Sequence, residues 1–194
     1  LKSTYVDALP ELVLPETGAV QVQVVLDGDD GRRTVSVYSR PVAEGADGSW
    51  ARHATGVLSA TVPDAPPVLA APPDWPPAGA FPVDVTDLYP RLAGRGYEYG
   101  PLFQGLREVW RRGDLVYATV AVTGGEPWPG LHPALLDAAM HPLVSTTDGA
   151  TEVPFTWSGV RLYRKGAHTA RVVLRRSDTG PVSLTSAMGG LTSE

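Results

Sequence analysis

Val20-Gln21-Val22-Gln23-Val24-Val25-Leu26 alternates apolar and polar side chains at a period of two, the pattern of a half-buried strand. Asp27-Gly28-Asp29-Asp30-Gly31 is turn chemistry, and Thr34-Val35-Ser36-Val37-Tyr38-Ser39-Arg40 alternates again, so the two runs predict a hairpin. A second Gly/Asp turn leads into Trp50 to Ala60, a third strand that completes an antiparallel meander. Upstream, Leu12-Val13-Leu14 before Pro15 predicts a short extended piece entering a turn. Between Pro63 and Pro77 lie seven prolines, too many for a helix or a central strand. That stretch predicts a semi-rigid linker running extended over the surface.

Beyond the linker, Phe81 to Ala93 has apolar side chains at Val85, Leu88, Tyr89 and Leu92, which predicts a short amphipathic helix capped by Asp84 or Thr86. Gly94 to Gly105 is a glycine-rich turn carrying Tyr97, Tyr99 and Phe103. It feeds strands over Leu106 to Arg112 and Leu115 to Val122, joined at Gly113-Asp114. A helix follows from Pro133, and short strands are predicted over Val153 to Trp157, Val160 to Tyr163, Ala170 to Arg175 and Val182 to Ser186. This order predicts an α+β fold in which an antiparallel sheet wraps one long apolar helix. The division expected is residues 1–78, a meander and linker, against residues 79–194, the unit with the helix.

Composition narrows the function classes. The 194 residues carry 16 Lys and Arg against 21 Asp and Glu, a net charge of −5, with no basic block interleaved with aromatics, which argues against nucleic acid as a partner. Cysteine is absent, so disulfides and thiolate metal sites are excluded, and the four histidines show no ligand spacing; no metal is expected. No apolar run approaches the roughly 18 residues of a membrane span, so no membrane partner is expected and a cytoplasmic location is. The chain opens on Leu1 rather than Met, and a longer parent is expected.

The helix from Pro133 contains the one constellation that asks for chemistry. Leu131-His132-Pro133-Ala134-Leu135-Leu136-Asp137-Ala138-Ala139-Met140-His141 sets one carboxylate and one imidazole, four residues apart, in an apolar run. On a helix the two share a face and can touch. Two readings stay open on spacing alone: a satisfied pair that only fixes the helix, or a catalytic carboxyl held by its neighbour.

Three stretches resemble the dehydratase domains of modular type I polyketide synthases. Gly96-Tyr97-Glu98-Tyr99-Gly100-Pro101-Leu102-Phe103-Gln104-Gly105 is similar to that family's Gly-Tyr-x-Tyr-Gly-Pro-x-Phe-Gln-Gly motif, and the run from His132 to His141 is similar to its His-Pro-Ala-Leu-Leu-Asp-Ala segment. Val153-Pro154-Phe155-Thr156-Trp157 is similar to Leu-Pro-Phe-x-Trp. The resemblance implies a double hot-dog fold. It also implies loss of water from a β-hydroxyacyl thioester, delivered on the phosphopantetheine arm of an acyl carrier protein, to give an α,β-unsaturated thioester. No cofactor of the domain's own is implied. The partners implied are the carrier protein and neighbouring synthase domains, with a homodimer also allowed, and the setting is antibiotic biosynthesis.

By the same resemblance Asp137 is the acid, held protonated by desolvation, His141 orients it, and the Tyr97 hydroxyl bonds to substrate or to Asp137. Gly96 and Gly100 let the backbone approach the thioester, and Pro101, Phe103, His132, Pro133, Pro154, Phe155 and Trp157 line the substrate path. Tyr97 could instead be a corner packing two sheets, and the aromatic strand could be plain core.

One part of the family pattern is missing. The base belongs to a His-x-x-x-Gly-x-x-x-x-Pro motif, and the residues four after His53, His132, His141 and His168 are Val57, Leu136, Ser145 and Val172. The first hot-dog unit is therefore expected to be incomplete and the chain, as written, inactive. Three readings follow: a remnant kept as scaffold, an active dehydratase whose His lies outside this sequence, or a hot-dog cyclase or thioesterase using Asp137 differently.

Overall fold

The computed structural model describes residues 11–29, 31–42, 48–60, 74–124, 128–145, 157, 160, 165–175 and 183–187. The chain divides into two compact units, Leu1–Asp64 with Val153–Leu162, and Ala65–Glu152 with Tyr163–Glu194.

The described part of the first unit is a three-stranded antiparallel sheet of β1 (Val20–Gly28), β2 (Arg32–Pro41) and β3 (Ala51–Ser59), in that order. The predicted meander is present. Asp29 closes the first turn, its carboxylate accepting from the Gly31 and Arg32 N–H groups. Val22 faces Ser39, Val24 faces Val37 and Leu26 faces Val35, so the apolar positions share one face. That face is open: Val22, Val24 and Leu26 are 50%, 60% and 55% exposed. No helix covers it among the described residues.

The second unit is a five-stranded antiparallel meander, β4 (Phe81–Val83), β5 (Leu106–Arg112), β6 (Leu115–Ala121), β7 (Thr169–Arg175) and β8 (Ser183–Ala187). Gly113 turns the β5–β6 hairpin at φ 60°, as Gly-Asp predicts. On β6 the side chains buried on one face are Val116, Ala118 and Val120, which pair with Leu174, Val172 and Ala170 on β7, while Tyr117 is buried on the other. The β6–β7 pair thus presents an apolar face. Two helices cover it, α1 (Leu88–Ala93) through Leu88 and Leu92, and α2 (Pro133–Ala138) through Ala134, Leu135 and Ala138. Burying such side chains contributes about 1.5–3 kcal/mol for each large one.

Three expectations are corrected. Phe81 does not open the first helix, because Phe81, Pro82 and Val83 pair with Arg111, Trp110 and Val109 as an edge strand, a position that tolerates proline. The helix starts seven residues later at Leu88. The single long helix is two short ones, α2 and then α3 (His141–Ser145). Pro142 explains the break: it has no N–H to donate to Ala138, and its ring would meet that carbonyl. The division also falls earlier than residue 78. Trp75 donates its indole N–H to Thr119 Oγ1 and packs edge-on against Trp110 and Tyr117, so the end of the proline stretch belongs to the second sheet. The rest of that stretch, and most of the strands expected over Val153 to Tyr163, lie outside the described residues.

Gly105 fixes the spacing between α2 and the sheet. A Cβ there would lie 2.9 Å from the Ala138 Cβ and 3.0 Å from the Ala121 carbonyl oxygen, and neither neighbour is a flexible side-chain end. Gly105→Ala should therefore cost about 1–3 kcal/mol in urea unfolding. Unchanged stability would mean that α2 does not seat against that glycine.

Candidate active site

Position in α2 follows from its cap. His132 precedes the helix in extended conformation and its Nδ1 accepts from the Ala134 N–H at 3.2 Å, with Pro133 in the first turn where it needs no donor. His132 is 6% exposed and lies near Trp128 and His168, ring centroids 6.0 and 6.4 Å away. Accepting at Nδ1 occupies that nitrogen, so the structure gives His132 and Pro133 a capping role.

Asp137 sits in the last turn of α2, and its Oδ2 lies 3.0 Å from His141 Nε2 across the helix break. The side chains differ sharply in exposure, 1% for His141 and 37% for Asp137. The carboxyl is therefore reachable and its partner is not.

Two tyrosines pack against His141, and a third stacks on one of them. Tyr89 of α1 places its hydroxyl 3.1 Å from His141 Nδ1, and the same oxygen accepts from the Leu106 N–H at 2.8 Å. The Tyr99 ring lies 4.4 Å from the imidazole, and Tyr97 stacks on Tyr99 at 6.3 Å with planes 5° apart. Tyr97 and Asp137 thus belong to one aromatic cluster within the second unit. Among the described residues the Tyr97 hydroxyl is buried without a hydrogen-bond partner, which makes it a donor with nothing to donate to.

The turn that delivers these tyrosines ends α1. Tyr97 N–H bonds to the Leu92 carbonyl and Gly96 N–H to the Ala93 carbonyl, with Gly96 at φ 90°, the paired bonds and left-handed residue of a Schellman stop. Gly96 is accounted for by that stop. Nothing lies within 4 Å of a Cβ built on Gly100, which precedes the 3₁₀ turn Pro101–Phe103. Pro101 is exposed and Phe103 is 38% exposed, while Gln104 Nε2 donates to the Tyr99 carbonyl at 2.8 Å and holds the loop closed. Trp157 is half-buried and assigned to the first unit; Pro154 and Phe155 lie outside the described residues. His53 bonds to Ser39 Oγ at 2.7 Å within the first sheet.

Sequence reasoning missed Tyr89 and Gln104. Tyr89 was counted as one apolar position beside Leu88 and Leu92. The available signal was its hydroxyl, because a tyrosine on a buried stripe requires a partner. Among the described residues no group of three or more His, Cys, Asp or Glu could hold a metal, and no helix is long and apolar enough to cross a membrane.

Burial raises the hydroxyls of both Tyr89 and Tyr99, and for Tyr99, with Asp137, Tyr97 and Tyr89 adding to it, the value reaches about 12. The unfolded group titrates near 10, so the folded state holds the proton more tightly. Stability is level below that value and falls as pH rises from 10 to about 12. Urea midpoints across this window should drop for the parent, and less for Tyr99→Phe. A parent midpoint that does not move would remove the desolvation assigned to Tyr99.

The family model for the polyketide synthase dehydratase N-terminal domain matches residues 69–189. Polyketide synthase GfsE of Streptomyces halstedii is 47% identical over 188 residues, which covers 90% of this chain and 5% of that protein. The chain therefore spans a small fraction of the curated relatives it matches. Among solved structures, the dehydratase domain from the terminal module of the rifamycin polyketide synthase is 40% identical at a TM-score of 0.78, covering 96% of this chain and 69% of that one. The erythromycin dehydratase is 35% identical at 0.76, covering 93% and 66%. With its antiparallel sheets, its short helices and its aromatic cluster around His141, the chain belongs to the polyketide synthase dehydratase family and shares the α+β, double hot-dog fold of those domains.

Proposed function

We propose that this chain supplies the acid half of a dehydration. The substrate is a β-hydroxyacyl thioester carried on the phosphopantetheine arm of an acyl carrier protein, within a modular polyketide synthase. Asp137 protonates the departing hydroxide, water leaves, and a base elsewhere takes the α-proton to give the α,β-unsaturated thioester. No cofactor enters the chemistry.

The observation that carries this reading is the pairing of a reachable carboxyl with an unreachable imidazole: Asp137 is 37% exposed and His141 is 1% exposed at 3.0 Å. Oδ2 is held, which leaves Oδ1 to carry and deliver the proton. Tyr97, whose hydroxyl is buried and unpartnered among the described residues, adds a donor within the same cluster. Pro101 and Phe103, exposed on the turn beside α2, and Gly100 offer the adjoining surface for the acyl chain and thioester. An acyl chain over α2 would also shield Asp137 from water and strengthen each interaction there.

None of the four histidines supports a role as the base. His141 lies under Tyr89 and Tyr99, His132 caps α2 through Nδ1, His53 is bonded to Ser39, and His168 is an exposed neighbour of His132 with no Gly-x-x-x-x-Pro after it. The reading therefore assigns the base to a group other than these four histidines.

The test is dehydration of a 3-hydroxyacyl carrier-protein thioester, followed as loss of water by mass. The chain alone should show no turnover. A fusion that supplies a first unit bearing His-x-x-x-Gly-x-x-x-x-Pro ahead of Leu1 should show turnover, and Asp137→Asn in that fusion should lower it roughly 10²- to 10⁴-fold. Turnover by the chain alone, or a fusion indifferent to Asp137→Asn, would contradict the reading.

A further inference from the structure

Two hydrogen bonds meet at the Tyr89 oxygen, and one arrangement of protons makes both while also giving the Tyr89 proton an acceptor. The Leu106 backbone N–H can only donate, so at 2.8 Å the Tyr89 oxygen is an acceptor there. Its own proton then has His141 Nδ1, 3.1 Å away, as its recorded acceptor. If Nδ1 carried a proton, the Tyr89 oxygen would have to accept twice, and its own proton would have no acceptor among its recorded partners. A lost acceptor of this kind in a buried setting costs about 1–3 kcal/mol. The protons therefore run one way, from Leu106 N–H to Tyr89 O–H to Nδ1, and from Nε2–H to Asp137 Oδ2 at 3.0 Å.

We propose that Tyr89 is a positioning residue that holds His141 as the neutral Nε2–H tautomer, so that His141 orients Asp137 without forming an ion pair with it. This rests on Asp137 acting as the acid, and it explains how a histidine can sit 3.0 Å from a carboxyl without spoiling that role. An imidazolium at that distance would favour the ionised carboxylate and leave Asp137 a poor proton donor. A neutral N–H donor fixes one carboxyl oxygen and adds no positive charge.

The groups that face His141 agree with this assignment. Tyr89 comes from α1, Tyr99 from the turn after it, and Asp137 from α2. Both tyrosine hydroxyls are raised by burial and keep their protons at neutral pH, so Tyr89 is a donor throughout the working range. Arg107 on β5 acts on Tyr89 in the opposite sense, but burial is the larger effect. Tyr89 does not touch substrate in this account; it acts through His141.

The test is ¹⁵N NMR of the chain labelled at histidine, with the His141 signals assigned by their loss in His141→Gln. The parent should show Nε2 protonated and Nδ1 bare near neutral pH. In Tyr89→Phe the Nδ1–H tautomer should rise about three- to tenfold relative to the parent, the equivalent of one lost hydrogen bond. The parent spectrum needs no variant to fold. A protonated Nδ1 in the neutral parent, or the same tautomer balance in parent and Tyr89→Phe, would overturn the proposal. Neither readout depends on turnover, so an inactive chain with the stated tautomer would count against the dehydration reading alone. An Asp137-dependent enzyme with the wrong tautomer would count against Tyr89 alone.

Discussion

The His141 Nε2 to Asp137 Oδ2 hydrogen bond spans the break between α2 and α3, and the second unit's packing serves to set that one distance. Pro142 forces the break, which frees His141 from continuing α2 and lets it drop into the core at 1% exposure. A polar ring buried so deeply needs partners on both nitrogens, or it costs more than it contributes. Asp137 serves one nitrogen and Tyr89 the other. Tyr89 can do this because Leu88 and Leu92, its neighbours on α1, are locked into the apolar face of the sheet.

That sheet is held on both faces. Small side chains on α2, Ala134 and Ala138, let the helix come close on the inner face, and Gly105 removes the last obstruction at the Ala121 carbonyl. On the outer face Trp75 seals Tyr117 and Trp110, with the Arg171 guanidinium 5.4 Å over the Trp75 ring. The strands therefore form a fixed platform. The groups with chemical potential sit where the backbone leaves regular structure: the end of α2, the start of α3 and the turn after α1.

Periodicity made the strands legible. Val20 to Leu26, Thr34 to Arg40, Leu115 to Val122 and Ala170 to Arg175 alternate or run apolar, and each is a strand within a residue or two of its expected limits. The failures have common causes. Phe81 to Val83 was drawn into the following helix because three residues are too few to show a period, and only pairing with β5 makes them a strand. Ala, Leu and Met promote helix on either side of Pro142 and so predict one long helix, yet the local steric veto of the proline wins. Trp75 looked like part of a linker because its partners, Thr119, Trp110 and Tyr117, lie dozens of residues away. At the site, Asp137, His141 and Tyr97 could be named from motif and spacing. Tyr89 could not, since its role comes from a contact to a residue 52 positions later.

The account assigns this chain an acid and no base, and exchange at the α-carbon separates the two most directly. The chain would be incubated in D₂O with a 3-hydroxyacyl carrier-protein thioester, and deuterium at the α-carbon measured by mass against the Asp137→Asn variant and a protein-free control. The prediction is incorporation no faster than the control for both proteins, because removal of the α-proton needs a base, which the proposed function assigns elsewhere. Incorporation above the control would contradict the account and show that a group within this chain can reach the α-carbon.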